Sequence, residues 1–335
     1  MRLTLGHFTR ANPRQFSSWT ASPSLPWLSS LSRHSTGTPP KARGAYANRW
    51  VLALQMHRIS MFTVREKLPD FWNLSQKTAF DLRTGKFSNW KPLLQQIKPL
   101  LDESFIENMD KVISGWRKIA TLHDGQTALH TLLVFSLCLN LPEYTLADEQ
   151  TCMEIEWAAV LHDLDKNLAR SDTAHPFRSA AIVARIMPKL GFELLPNINE
   201  TDLETWSKLV MAAQRPDGER MIHDHSSLKE IIDGIYKCWG KDNSATRVLK
   251  AVLLHQSSPT IKEWNNAVLL ADEELSYTLT LSDMKVLGAL MIADSDSWNI
   301  FDEVRTSYLF ELRASNTETR SRIQNMVKSG ESSTK

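Results

Sequence analysis

The stretch WAAVLHDLDK, residues 157–166, limits what this chain can fold into more than any other. At helical spacing, Met153, Trp157, Val160, Leu161 and Leu164 form one apolar stripe, and Ile155, Ala158, Ala159 and His162 form a second. A helix that is apolar on both sides cannot lie on a surface, so other elements must surround it. Its last turn, with the doublet His162-Asp163, is then carried into the interior. Burying an unpaired carboxylate costs several kcal/mol, so Asp163 needs an ion-pair partner or a metal.

The same helical period runs through the chain from Glu66 onward. In WKPLLQQIKPLLDESFIENMDKVISGWRKIATL, apolar residues fall at Leu93, Leu94, Ile97, Leu100 and Leu101, then at Ile106, Met109, Val112, Ile113 and Trp116. Capping-box patterns at Thr201 to Glu204 and Ser227 to Glu230 predict two helix starts, and Pro176 suits a first helical turn. Alternating runs joined by hairpin turns are missing, apart from a doubtful ELSYTLTL at 274–281. The expectation is an all-α fold from about 66 to 325. With 335 residues and 42% hydrophobic content, the chain can bury a sizeable core.

Residues 1–60 differ in kind. The first 65 residues hold eight Arg, one Lys and no acid, and the whole chain sums to +1, so the remainder carries −8. The basic, acid-poor segment is expected to be disordered, as an organellar targeting sequence or as a translated leader ahead of Met56 or Met61. That leaves a soluble intracellular protein, in the cytoplasm if bacterial and in a mitochondrial or plastid matrix if the segment is a true transit peptide. A mildly acidic folded part argues against a nucleic-acid polymer as partner. No stretch approaches the roughly 18 apolar residues of a membrane span. Cys138, Cys152 and Cys238 lie far apart without a zinc pattern and read as free thiols in a reducing compartment.

His-Asp occurs three times, so the dipeptide alone marks nothing. His123-Asp124 precedes Gly125, where Asp124 is placed to cap the run beginning at Gln126. His223-Asp224-His225 reads as a polar turn leading into a helix. His162-Asp163 alone ends a buried helix. Other apolar helices carry His130, His255 and Asp294. Singly, each imidazole reads as a hydrogen-bonded core histidine. Together, these residues form the donor set that a hard or borderline divalent metal requires.

The order His130, His162-Asp163, Asp294, with AAVLHDLDK around the doublet, resembles the HD-domain superfamily, largely metal-dependent phosphohydrolases built on a helical bundle. The resemblance spans about 122–300, which would leave 61–121 as a helical extension packed on the HD domain and 301–335 as a C-terminal helix and tail. It implies His130, His162, Asp163 and Asp294 as ligands of a divalent ion (Mn, Co, Ni, Mg, Zn or Fe). A second ion would draw on His223 or His225 and His255, bridged by Asp163. It implies Asp163 as the group orienting the attacking water and Lys166 as a phosphate contact, although Lys166 also suits an ion pair with Asp163 or Asp165. HPFRSAAIVARI resembles the helix after the doublet, with His175 as leaving-group acid and Arg178 facing substrate phosphate. Gln214 stands where many relatives place a histidine, and no Gly-Tyr-Pro follows His255. The implied substrate is a small phosphorylated molecule, a nucleotide among the candidates. Two other readings use the same scaffold: a di-iron oxygenase with six ligands, and a non-catalytic module that binds metal or nucleotide.

Overall fold

The helical period persists as helices throughout the computed structural model, which describes residues 62–87, 90–166, 172–217, 220–257, 270–301 and 308–332. The expectations for residues 1–60 fall outside these residues. The N-terminal part comprises α1 (Pro69–Arg83), α2 (Trp90–Ile97), α3 (Glu103–Val112) and α4 (Trp116–Thr121). The remainder runs α5 (Gln126–Cys138), α6 (Glu149–Leu161), α7 (His175–Ile186), α8 (Glu200–Ala212), β1 (Gln214–Asp217), β2 (Arg220–His223), α9 (Leu228–Trp239), α10 (Ser244–Leu254), α11 (Asp272–Thr278), α12 (Leu281–Phe301) and α13 (Tyr308–Ser332).

Four of these helices form the centre. α5, α6 and α12 pack on one another, and α10 packs on α6 and α12. Their composition explains the arrangement. Every residue from Glu154 to Leu164 is buried, as are Leu129 to Ser136 on α5 and Val286 to Ala293 on α12. α7 covers α10 and in turn carries α8, while α1 and α4 close over α5. The α1 to α5 seam is aromatic: Phe71 meets Trp116 edge-on at 5.6 Å and Phe135 at 5.1 Å. Buried charges in this core are paired. Lys250 lies 2.8 Å from Asp283 and also donates to Tyr236 Oη, and Arg247 forks onto Glu154.

Local signals were realised with shifts. Asp102, Asp148 and Asn243 cap α3, α6 and α10 through their side chains. The capping box of α8 begins at Asn199 and closes on Asp202, two residues ahead of the Thr201 pattern. Ser227 makes no capping bond, because a 3-10 turn at His225–Ser227 already leads into α9. Asp124 does not cap α5. It adopts φ 61° and pairs with Lys98 instead. The doubtful strand at 274–281 is helical through Thr278. A short hairpin does occur, pairing Gln214 with His223 and Asp217 with Arg220. Trp206 and Trp239 pack edge-on against each other in the core at 5.9 Å.

Candidate metal centre

Five segments bring side chains to one buried point. His130 comes from the second turn of α5, His162 and Asp163 from the C-terminal end of α6, His175 from the first residue of α7, His255 from the end of α10, and Asp294 from within α12. All six are at most 2% exposed.

Asp163 is the hub, and its two oxygens face different partners. Oδ2 lies 3.2 Å from His130 Nε2, 3.2 Å from His162 Nε2 and 2.6 Å from Lys166 Nζ. Oδ1 lies 3.0 Å from His175 Nε2 and 3.6 Å from His255 Nε2. Asp294 Oδ1 is 3.0 Å from His130 Nε2. Two groups with metal-ligand spacing result, His130-His162-Asp163 and Asp163-His175-His255.

The backbone dictates which imidazole nitrogens face the centre. His162 Nδ1 lies 2.9 Å from the Ala159 carbonyl and His255 Nδ1 lies 2.8 Å from that of Val252. Both residues stand at helix C-termini, where carbonyls lack intrahelical partners, so each ring caps its own helix. His175 Nδ1 uses the Asp172 carbonyl in the same way at 2.6 Å. A carbonyl only accepts, so these Nδ1 atoms carry the hydrogen. Ser297 Oγ donates to the Asp294 carbonyl at 2.6 Å, leaving its oxygen to accept from His130 Nδ1 at 3.0 Å. Each Nε2 therefore turns a lone pair toward the carboxylates.

Lone pairs facing carboxylate oxygens at such distances repel unless a cation lies among them. Asp163 Oδ1, Asp294 Oδ1, His175 Nε2 and His255 Nε2 are buried and make no hydrogen bond. Burial lowers the affinity of His162 and His175 for a second proton below that of an ordinary imidazole, which favours the neutral rings. Burial also pushes the Asp163 carboxyl up, yet with these rings neutral the Lys166 ammonium at 2.6 Å still opposes it, and the carboxyl is held well below the usual carboxylate range. For Asp294 the same opposition ends the same way, burial raising the carboxyl and the Lys166 ammonium lowering it. Permanent anions, neutral imidazole lone pairs and orphaned buried acceptors could hold a metal ion, and the donor types suit a divalent one.

The remaining residues singled out in the sequence lie around this point. Lys166 is 7% exposed and ion-paired with Asp163. Arg178 projects from the first turn of α7 onto Asp165 and Asp172. His225 stands 3.0 Å from Glu274 and stacks on Phe177, outside both ligand groups. The side chain of His223 lies outside the described residues. Sequence reasoning missed His175 as a potential ligand. The signal was present, since His175 opens an apolar helix much as His162 closes one.

No family model, curated protein or solved structure matches the chain. Among the described residues, no helix is long and apolar enough to cross a membrane.

Proposed function

We propose that the chain is a metal-dependent phosphohydrolase of the HD superfamily, acting on a small phosphate ester such as a nucleotide. The observation that carries this reading is the convergence of four inward-facing imidazoles on the two oxygens of Asp163, with Asp294 joined to the cluster through His130. A divalent ion held by either group would supply an acidified water and Lewis-acid pull on a phosphoryl oxygen.

The chain's own residues would do the rest. Asp163 would be shared, giving Oδ2 to the His130 and His162 side and Oδ1 to the His175 and His255 side. The Nδ1 anchors hold the four rings in their ligating orientation before any ion arrives, which reduces reorganisation. Lys166 keeps its proton, because the attraction of Asp163 and Asp294 outweighs its burial, and it would offset charge on a phosphate oxygen. His175 is placed with the ligands in this proposal rather than as the leaving-group acid.

Protein beginning near residue 61 should hydrolyse phosphate esters with added Mn²⁺, Co²⁺, Ni²⁺ or Mg²⁺ and not after chelation, and Asp163→Ala should abolish turnover. Full activity in Asp163→Ala would sink the proposal. The sharing of Asp163 between two groups also favours a second reading, the di-iron oxygenase, which needs six ligands around two irons. Purified protein with about two irons and redox-sensitive absorption bands would support it. A colourless, Mn- or Mg-dependent protein would oppose it.

A further inference from the structure

Arg178 has five N–H groups to donate, and all five meet acceptors of the protein. Nε donates to Asp165 Oδ2 at 2.5 Å. One terminal nitrogen donates to Asp172 Oδ1 at 3.3 Å and to Gln214 Oε1 at 2.9 Å. The other donates to the Asp165 carbonyl at 3.5 Å and to Asp172 Oδ2. A guanidinium engaged in this way has no fork left for a phosphate unless it gives up one of these partners.

The three residues it joins belong to separate segments, and two of them adjoin the metal centre. Asp165 lies two positions after Asp163 in the turn that follows α6, and its own N–H is held by Ser179 Oγ of α7 at 3.1 Å. Asp172 supplies the carbonyl that fixes His175 Nδ1 at 2.6 Å, and its carboxylate also accepts from Ala174 N at 3.1 Å. Gln214 opens β1, and β2 pairs back onto the same segment through the Asp172 to Met221 bridge.

We infer that Arg178 is a positioning residue that clamps the turn of the His-Asp doublet to the Asp172 carbonyl, and thereby fixes the proton on His175 Nδ1 and aims His175 Nε2 at Asp163. Lysine can replace it only in part, because one ammonium with three donors cannot make all five of these bonds. The role belongs to one half of the centre. His130, His162 and His255 are anchored by Ser297, Ala159 and Val252, none of which is among the hydrogen-bond partners of Arg178.

The test has two arms, of which only the second rests on the metal reading given above. In ¹⁵N-histidine-labelled, metal-free full chain, imidazole spectra should show all four rings protonated on Nδ1. Arg178→Met should convert His175 alone to a mixture of tautomers, with Arg178→Lys restoring part of the wild-type signal. In the second arm, Co²⁺ titration of Arg178→Met should show affinity about 10- to 100-fold weaker at one of two sites and unchanged at the other. An unchanged His175 tautomer in a folded Arg178→Met would overturn the proposal. If the variants do not fold, the wild type decides. Inorganic phosphate should leave the Arg178 Nε–H resonance in place, and a phosphate-dependent shift would show a guanidinium free to bind substrate and overturn the clamp. Absence of phosphoesterase activity in the wild type would remove the hydrolase reading and leave the tautomer result standing.

Discussion

Asp163→Asn turns one carboxylate oxygen into an amide nitrogen without changing the size of the side chain, so its effects report charge and ligation rather than packing. In the metal-free protein the first effect falls on Lys166, whose Nζ lies 2.6 Å from Asp163 Oδ2 with side-chain exposures of 9% and 0%. Removing the anion leaves a buried ammonium among imidazoles, a change that typically costs about 3–5 kcal/mol. Deprotonation gives Lys166 no easier escape. Moving its pKa from about 10.4 to about 7 costs roughly 1.4 kcal/mol per unit, again about 5 kcal/mol. Against a total stability of roughly 5–15 kcal/mol the loss is large. Urea unfolding of chelated protein at pH 7 should therefore show a much lower midpoint for Asp163→Asn. The second effect concerns the metal. Asp163 belongs to both ligand groups, whereas His255 belongs to one. Elemental analysis after dialysis should find almost no bound metal in Asp163→Asn and about half the wild-type amount in His255→Ala. A wild-type urea midpoint with full metal content in Asp163→Asn would refute the shared-carboxylate argument.

Further perturbations test other links. Glu156 is pushed up to about 7 by burial, although the hydrogen bond from Tyr144 Oη at 2.6 Å opposes the rise from 4.5. Between these pH values the unfolded chain releases its proton while the folded chain keeps it, so stability falls as pH rises and the loss is complete above about 7. At roughly 1.4 kcal/mol per unit the loss is about 3–4 kcal/mol, and Glu156→Gln should resist urea better than wild type at pH 8 and match it near pH 4.5. Ser297→Ala removes the acceptor of His130 Nδ1–H. Calorimetric titration should show metal affinity about 10- to 100-fold weaker with unfolding little changed, and unaltered affinity would dismiss Ser297 as an orienting partner. Gly234→Ala would place a Cβ 2.3 Å from Trp206 Cδ1, and Trp206 is pinned by its bond to the Ile231 carbonyl at 2.9 Å. A loss of about 1–3 kcal/mol in urea unfolding is expected, and an unchanged midpoint would show that the α8 and α9 seam can yield.

What the sequence revealed depended on whether a property was local. The burial of 154–164 followed from apolar residues on both faces of one helix, and the same logic marked His130, His255 and Asp294 as polar groups in apolar helices. For His162, His175 and His255 the nitrogen presented also has a local cause, the carbonyl three residues back, although it shows only once the turn geometry is known, whereas His130 depends on the distant Ser297. His175 was harder to place, because the sequence does not say where the chain returns after the doublet. The Arg178 interactions were illegible for the same reason, since Asp165, Asp172 and Gln214 meet only in the folded chain. The hairpin was hidden by composition. QRPD and RMIH lack clean alternation, and Pro216 argues against a strand. At α8, Asn199 and Thr201 both satisfy a capping pattern, and only the side-chain bonds select Asn199.

The central claim is that Asp163 is one carboxylate shared by two ligand groups. Anomalous X-ray diffraction from crystals of the full chain grown with Mn²⁺ addresses it most directly. The account predicts one peak bounded by His130, His162, Asp163 and Asp294, and a second on the other oxygen of Asp163 beside His175 and His255. A map with no anomalous peak at Asp163, obtained from protein shown to bind Mn²⁺ in solution, would contradict it.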